Sequence, residues 1–202
     1  MPPVARCLLV AAIAAAAACS GGGDDAGTDA ANRPPPTSSA QGGGGCLDHS
    51  STVRRRTPAA DENVFLVDAR VSKLDECADQ VVWEFRSDGA QLPPGYTVEY
   101  QPGPFADFTS GDEFEPGGDA YLVVRFPKVS TVEVVGAEGD QEFETTYNGR
   151  ESIDPSGMNH LEEARIVQGA EGVTQWVVGL DGERPFSVDA STGPPKVVLT
   201  IG

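Results

Sequence analysis

Histidine is nearly missing from this 202-residue chain, which holds only His49 and His160. That leaves little material for general-base or metal chemistry. No Gly-x-Ser-x-Gly elbow is present to give His160 a serine partner, so a catalytic triad is not expected and His160 reads as a surface residue. Basic residues are also few, 14 Lys and Arg against 31 Asp and Glu, for a net charge of −17. This balance excludes nucleic acid, whose phosphates are held by clustered Lys and Arg. It equally excludes adhesion to anionic lipid through a basic face. The four cysteines contain no Cys-x-x-Cys pair, so a zinc or redox site is not expected. No Gly-rich stretch leads into Gly-Lys-Ser/Thr, which removes a phosphate loop. The longest apolar run, Cys7 to Ala18, is 12 residues and falls short of the ~20 that a spanning helix requires.

That run is instead the core of an export signal, preceded by Arg6 and followed by Ala16-Ala17-Ala18-Cys19-Ser20-Gly21. The small residues before Cys19 suit ordinary secretory cleavage. Together with Cys19 and the polar run behind it they resemble a bacterial lipoprotein signal, in which the cysteine is diacylated. The expected organisation is therefore a signal peptide over 1–18, a tether over 19–60 and a domain over 61–202. Two acyl chains on Cys19 would hold the protein at the membrane stably, at roughly 0.8 kcal/mol per buried CH₂. Without lipidation the protein would be secreted. Either way its place is extracytoplasmic.

The tether carries Gly21-Gly22-Gly23, Pro34-Pro35-Pro36 and Gly42-Gly43-Gly44-Gly45 and almost no large apolar side chains. Such a composition cannot offset its ordering entropy. As a flexible coil of about 42 residues it would reach roughly 35 Å. Arg54-Arg55-Arg56 at its end reads as a solvated charge run. With Cys7 lost and Cys19 acylated, Cys46 and Cys77 remain as an even pair in an oxidising setting, either bridged or as two thiols. A bridge would close a loop of about 30 residues, worth roughly 3–4 kcal/mol in the chain-entropy account.

From Asp61 onward alternation with period 2 dominates. Phe65, Val67, Ala69 and Val71 are expected on one face, as are Val81, Trp83 and Phe85, and Tyr96, Val98 and Tyr100. Tyr121 to Phe126 is more continuously apolar, and Val173–Leu180, Phe186–Val188 and Val197–Ile201 supply further strands. Turn residues punctuate them, with Asp181-Gly182 marking a hairpin and Gly193-Pro194-Pro195 another turn. One helical turn capped by Asn159 is the sole helical signal. Seven or eight short strands predict an all-β, antiparallel sandwich. The repeated Gly136-Ala137-Glu138-Gly139 and Gly169-Ala170-Glu171-Gly172 read as two similar turns.

Several ordered blocks resemble the AMIN-like domain family of predicted lipoproteins from high-GC Gram-positive bacteria. They are Leu66-Val67-Asp68-Ala69-Arg70, Asp79 to Phe85, Gly95 to Tyr100, Glu171 to Leu180 with Pro185 to Val188, and Pro194 to Val198. The resemblance implies a β-sandwich related to the AMIN modules of wall amidases and secretins, which localise to peptidoglycan or envelope partners without catalysis. It implies no catalytic, metal, cofactor or ligand-binding residues.

The residues themselves leave room for other chemistry. Asp112, Glu113, Glu115 and Asp119 form an acidic Gly/Pro-rich loop that a glycosidase pair or a Ca²⁺ site would suit, although such pairs arise readily among 31 acids. Trp83, Trp176, Tyr96 and Tyr100 could stack on sugars, but their alternation on strands makes core packing the default. The expectation is a non-enzymatic envelope module without cofactor or metal, partnered by the membrane through Cys19 and by peptidoglycan or a basic envelope protein. A wall hydrolase using paired carboxylates, or an acidic adaptor docking a basic protein, are the alternatives. The domain from 61 to 202 holds nine basic and 27 acidic residues, a net of −18, so it should stand off from anionic lipid and wall polymers unless a specific site overcomes the repulsion.

Overall fold

Alternating apolar residues become strands throughout, and no helix occurs among the described residues. The computed structural model describes residue 47 and residues 51–58, 63–89, 91–137, 139–169 and 172–202. In chain order the strands are β1 (Arg55–Thr57), β2 (Val64–Lys73), β3 (Asp79–Ser87), β4 (Tyr96–Tyr100), β5 (Phe105–Ala106), β6 (Glu113–Phe114), β7 (Ala120–Pro127) and β8 (Val129–Ser130). There follow β9 (Val132–Val135), β10 (Glu142–Thr145), β11 (Ser152–Ile153), β12 (Leu161–Gln168), β13 (Val173–Leu180), β14 (Phe186–Ser191) and β15 (Lys196–Ile201). Eight of these strands are five residues or longer; seven fall on segments where the sequence predicts a strand, and β12 is the eighth.

They form two sheets, one of six strands in the order β1-β4-β7-β13-β12-β11 and one of five in the order β14-β15-β3-β2-β8. All pairings are antiparallel except the short β2–β8 contact. The inner faces meet in one core. Trp83, Phe85, Leu199 and Ile201 come from the five-stranded sheet, and Leu122, Phe126, Trp176 and Leu180 from the six-stranded one. Trp83 meets Trp176 edge-on at 6.1 Å and Phe126 at 5.4 Å. Edge-to-face pairs of this kind add about 0.5–1.5 kcal/mol beyond area burial. The indole Nε1 atoms of both tryptophans are buried without a hydrogen-bond partner. Each costs about 1–3 kcal/mol. Burying such rings, which hide 150–250 Å² each at about 25 cal/mol per Å², outweighs that cost.

Three local readings are corrected. In β2 the pairing steps from Leu66↔Phe85 to Asp68↔Glu84, so Val67 is an extra residue on a β-bulge. The bulge reverses the faces of the strand's first half. Val64 and Leu66 enter the core beside Ala69 and Val71, Val67 is exposed, and Phe65 lies on the other face under the Arg86 guanidinium. Asp181-Gly182 is not a hairpin turn, because β13 and β14 belong to different sheets and the segment arches between them. Asn159 caps no helix. Residues 159 and 160 form a bend leading directly into β12, because their amides are taken by a carboxylate from the other sheet. The sheet also begins earlier than Asp61. β1 lies within the segment that the sequence assigns to the tether, pairs with Tyr96–Val98, and is fastened by an Arg54–Glu99 ion pair of 3.1 Å.

On the outer face of the five-stranded sheet Glu84 sits between Lys196 at 2.8 Å and Arg70 at 2.7 Å, joining β15, β3 and β2. Hydrogen bonds from Lys196 and then Arg70 hold its carboxyl below the usual range. A depressed carboxylate stabilises the fold above its unfolded pKa, about 4.3, and that contribution disappears as pH falls through the folded value. Glu84→Gln is expected to cost about 0.5–1 kcal/mol at neutral pH, since the partners are solvent-exposed in part. In urea unfolding the gap between wild type and variant should close below about pH 4; a gap that persists unchanged in acid would refute this role.

Candidate functional site

Segment 101–119 carries the acidic loop singled out in the sequence, and it folds back over the outside of the six-stranded sheet. β5 and β6 pair with each other there. Phe105 from this flap packs on Val123, Val167 and Val177, with Phe114 and Tyr121 alongside, in a second small core. Consequently β7 is apolar on both faces, with Leu122, Val124 and Phe126 inward and Tyr121 and Val123 outward. That explains its continuous apolar run. The flap's tip is pinned by the Phe108 amide donating to the Val167 carbonyl at 3.0 Å. Its turn is closed by the amides of Thr109 and Ser110 donating to the Asp107 carboxylate, which lies below the usual range mainly through the Ser110 amide. On its return Gly117 donates to Glu163 at 2.9 Å and Asp119 to the Leu180 carbonyl at 2.7 Å.

Where the flap leaves β4 and rejoins β7 it bounds an open cleft of about 570 Å³, lined by Tyr100, Gln101, Glu115, Asp119, Tyr121 and Glu183 among others. The Tyr100 hydroxyl donates to the Arg184 carbonyl at 2.7 Å and accepts from the Arg184 amide at 2.8 Å. Burial pushes its pKa upward. The Tyr121 hydroxyl donates to the Gly118 carbonyl at 3.0 Å. Both rings are thereby fixed in orientation, which favours stacking or edge contact with a ligand over hydrogen bonding through the hydroxyls. Among the described residues three carboxylates line the cleft and no Lys or Arg does. Its field suits neutral or amine-bearing ligands and opposes anions. Behind it Arg184 grips Asp181 through Nε at 3.0 Å and Nη2 at 2.7 Å, and His160 Nδ1 lies 3.3 Å from the same carboxylate. Those bonds, Arg184's first, lower the Asp181 pKa.

Of the residues raised from sequence, Tyr100, Glu115 and Asp119 converge on this cleft, whereas Asp112 and Glu113 are not among its lining. Trp83 and Trp176 are fully buried, and Tyr96 packs against the core. Among the described residues no group of three or more His, Cys, Asp or Glu could hold a metal ion. Cys77 is disulfide-bonded. The signal over 1–18, Cys19, most of the tether, Cys46 and His49 lie outside the described residues. Sequence reasoning did not single out Gln101, Tyr121 or Glu183 as site residues. The outward parity of Tyr121 on β7 is the one signal that could have found any of them.

A two-sheet antiparallel sandwich with a flap-bounded, tyrosine-lined cleft has the build of a recognition module. The AMIN-like domain family model matches residues 64–202, and the chain belongs to that family. AMIN-like domains are in general binding modules of the cell envelope rather than enzymes. No curated protein and no solved structure matches the chain.

Proposed function

We propose that this protein is a lipid-anchored, extracytoplasmic and non-enzymatic module that binds peptidoglycan or an envelope partner. The family match over residues 64–202, which takes in every strand of the sandwich except β1, supports this reading. In it Cys19 is diacylated, the Gly/Pro-rich segment behind it lifts the sandwich off the bilayer, and Cys46 is the disulfide partner of Cys77. The cleft at Tyr100 and Tyr121 takes the wall ligand by ring contact, with Glu115, Asp119 and Glu183 favouring an amine-bearing or uncharged one over an anionic one. A wall polymer rich in anions is repelled by a domain of this charge, so binding must come from the cleft and not from the general surface.

The anchor and the ligand are tested separately. Cys19→Ser should move the protein from the membrane fraction to the medium; retention at wild-type level would rule out lipidation. For wall binding, the full-length Cys19→Ser chain is mixed with insoluble peptidoglycan and sedimented. We expect it in the pellet at physiological salt, with Tyr100→Ala and Tyr121→Ala reducing the bound fraction about tenfold. Protein left in the supernatant at every salt concentration would overturn the wall-binding version.

A further inference from the structure

Hairpin β9–β10 lies outside both sheets, and among the described residues its two strands pair only with each other. Its base is fixed. The Thr146 amide donates to the Thr131 carbonyl at 2.8 Å, and the Thr146 hydroxyl donates to the Leu66 carbonyl at 2.9 Å. Thr131 is tied in turn through its amide and hydroxyl to the Gly169 carbonyl. The hairpin is thus presented by a clamped root. All four residues of β10 are exposed, while three of the four in β9 are partly covered.

On one face Phe143 stands directly opposite Val134, and they are 78% and 51% exposed. Among the described residues Phe143 is the most exposed large hydrophobic side chain, and it is directly paired with a second exposed one. The other face carries Glu142, Glu144 and Glu133. Arg86 ion-pairs with Glu133, lies 3.5 Å from Asp88 and feels the charge of Glu144 as well, so one guanidinium is shared among three carboxylates. The face keeps a surplus of negative charge. Two copies of this edge laid against each other would set their glutamates together, which disfavours self-pairing.

We propose that β10 is a docking edge for an extended, basic segment of another protein, which adds as a third strand to the hairpin. Main-chain hydrogen bonds to the open edge supply affinity, as in other strand additions. The charge and register dictate the segment's pattern: cations at alternate positions beside Glu142 and Glu144, and apolar residues between them against Phe143, whose far side Val134 supports. This surface is distinct from the Tyr100–Tyr121 cleft and does not depend on wall binding or on the anchor.

The test uses the full-length Cys19→Ser chain and a labelled short peptide of alternating lysine and valine, read by fluorescence anisotropy. Binding is expected at low salt and should weaken as salt rises, because the charges are exposed. Phe143→Ser should weaken it about tenfold. Glu142→Lys/Glu144→Lys should weaken it further, and N-methylation of alternate peptide amides should abolish it. Thermal melts of the variants confirm that the sandwich is intact; exposed positions such as these are expected to leave the midpoint unchanged. Equal binding of a peptide with the same residues in blocks, or indifference to Phe143→Ser and to N-methylation, would reduce the contact to general charge attraction and overturn the proposal. No binding at low salt overturns it as well. So does salt-independent self-association of the chain abolished by Phe143→Ser, which would make a second copy the occupant.

Discussion

Asp79→Ala is expected to lower the stability of the sandwich by about 3–5 kcal/mol, the largest effect of any single polar substitution in this fold. Asp79 opens β3 and is fully buried. Its carboxylate accepts from three consecutive amides at the start of β12: Asn159 at 2.8 Å, His160 at 2.6 Å and Leu161 at 3.0 Å. The Asn159 side-chain amide adds a fourth donor at 3.1 Å. β3 belongs to one sheet and β12 to the other, so this one side chain links the two layers by several hydrogen bonds, beside the Asn159 side-chain amide that also reaches the Asp75 carbonyl at 3.1 Å. Removing it strands several buried donors, each at about 1–3 kcal/mol. Asp79→Asn keeps the shape but replaces one acceptor oxygen by a donor, and should cost about 2–3 kcal/mol. Asn159→Ala leaves the backbone donors satisfied and should cost about 1 kcal/mol. Urea unfolding of the three variants gives this ranking. A loss below about 1 kcal/mol for Asp79→Ala, or an Asn159→Ala effect as large, would show that the carboxylate is not the tie between the sheets.

Gly179→Ala is the second. A Cβ on Gly179 would lie 1.8 Å from the Gly117 carbonyl oxygen, a backbone atom that no rotamer change can move. β13 is held between β7 and β12, so the flap must yield. Its return would lose the Asp119–Leu180 and Gly117–Glu163 hydrogen bonds and lift from Val123 and Val177. Overpacking with two bonds broken should cost about 3 kcal/mol. Because Glu115 and Asp119 lie on that return, the cleft should open at the same time. Limited proteolysis should cut the variant within 101–119 before wild type. Equal stability together with an unchanged cleavage pattern would mean that the strand, and not the flap, gives way.

Strands with one half-buried face were legible by alternation, and β3, β4 and β15 sit where that alternation places them. What escaped has identifiable causes. The bulge at Val67 adds one residue with no compositional mark. Asp181-Gly182 looks like a hairpin because local turn chemistry is silent about which sheet the next strand joins. β1 is an arginine run whose order comes from pairing with residues some forty positions away. Asp79 is one acid among 31 until the loop at 159–161 closes on it. The cleft was half visible. Tyr100, Glu115 and Asp119 attracted notice by type and loop context, whereas Gln101, Tyr121 and Glu183 join them only through the flap's return and the arch after β13.

The position of β15 has a kinetic consequence. The chain's last strand lies inside the five-stranded sheet, between β14 and β3, with Thr200 bonded to Gln80 across 120 residues of sequence. β3 and its tryptophan therefore wait, with one ladder unfilled, until residues 196–201 arrive. Contacts of such sequence separation make β-sandwiches slow to fold, since loop closure must precede any pairing gain. A chain that emerges N-terminus first cannot complete this sheet until residues 196–201 are free to pair. Until then the open edge of β3 is the segment most prone to pair with another chain. Completion of the five-stranded sheet in this sense waits on residues 196–201, and a net charge of −17 opposes association with a second copy meanwhile.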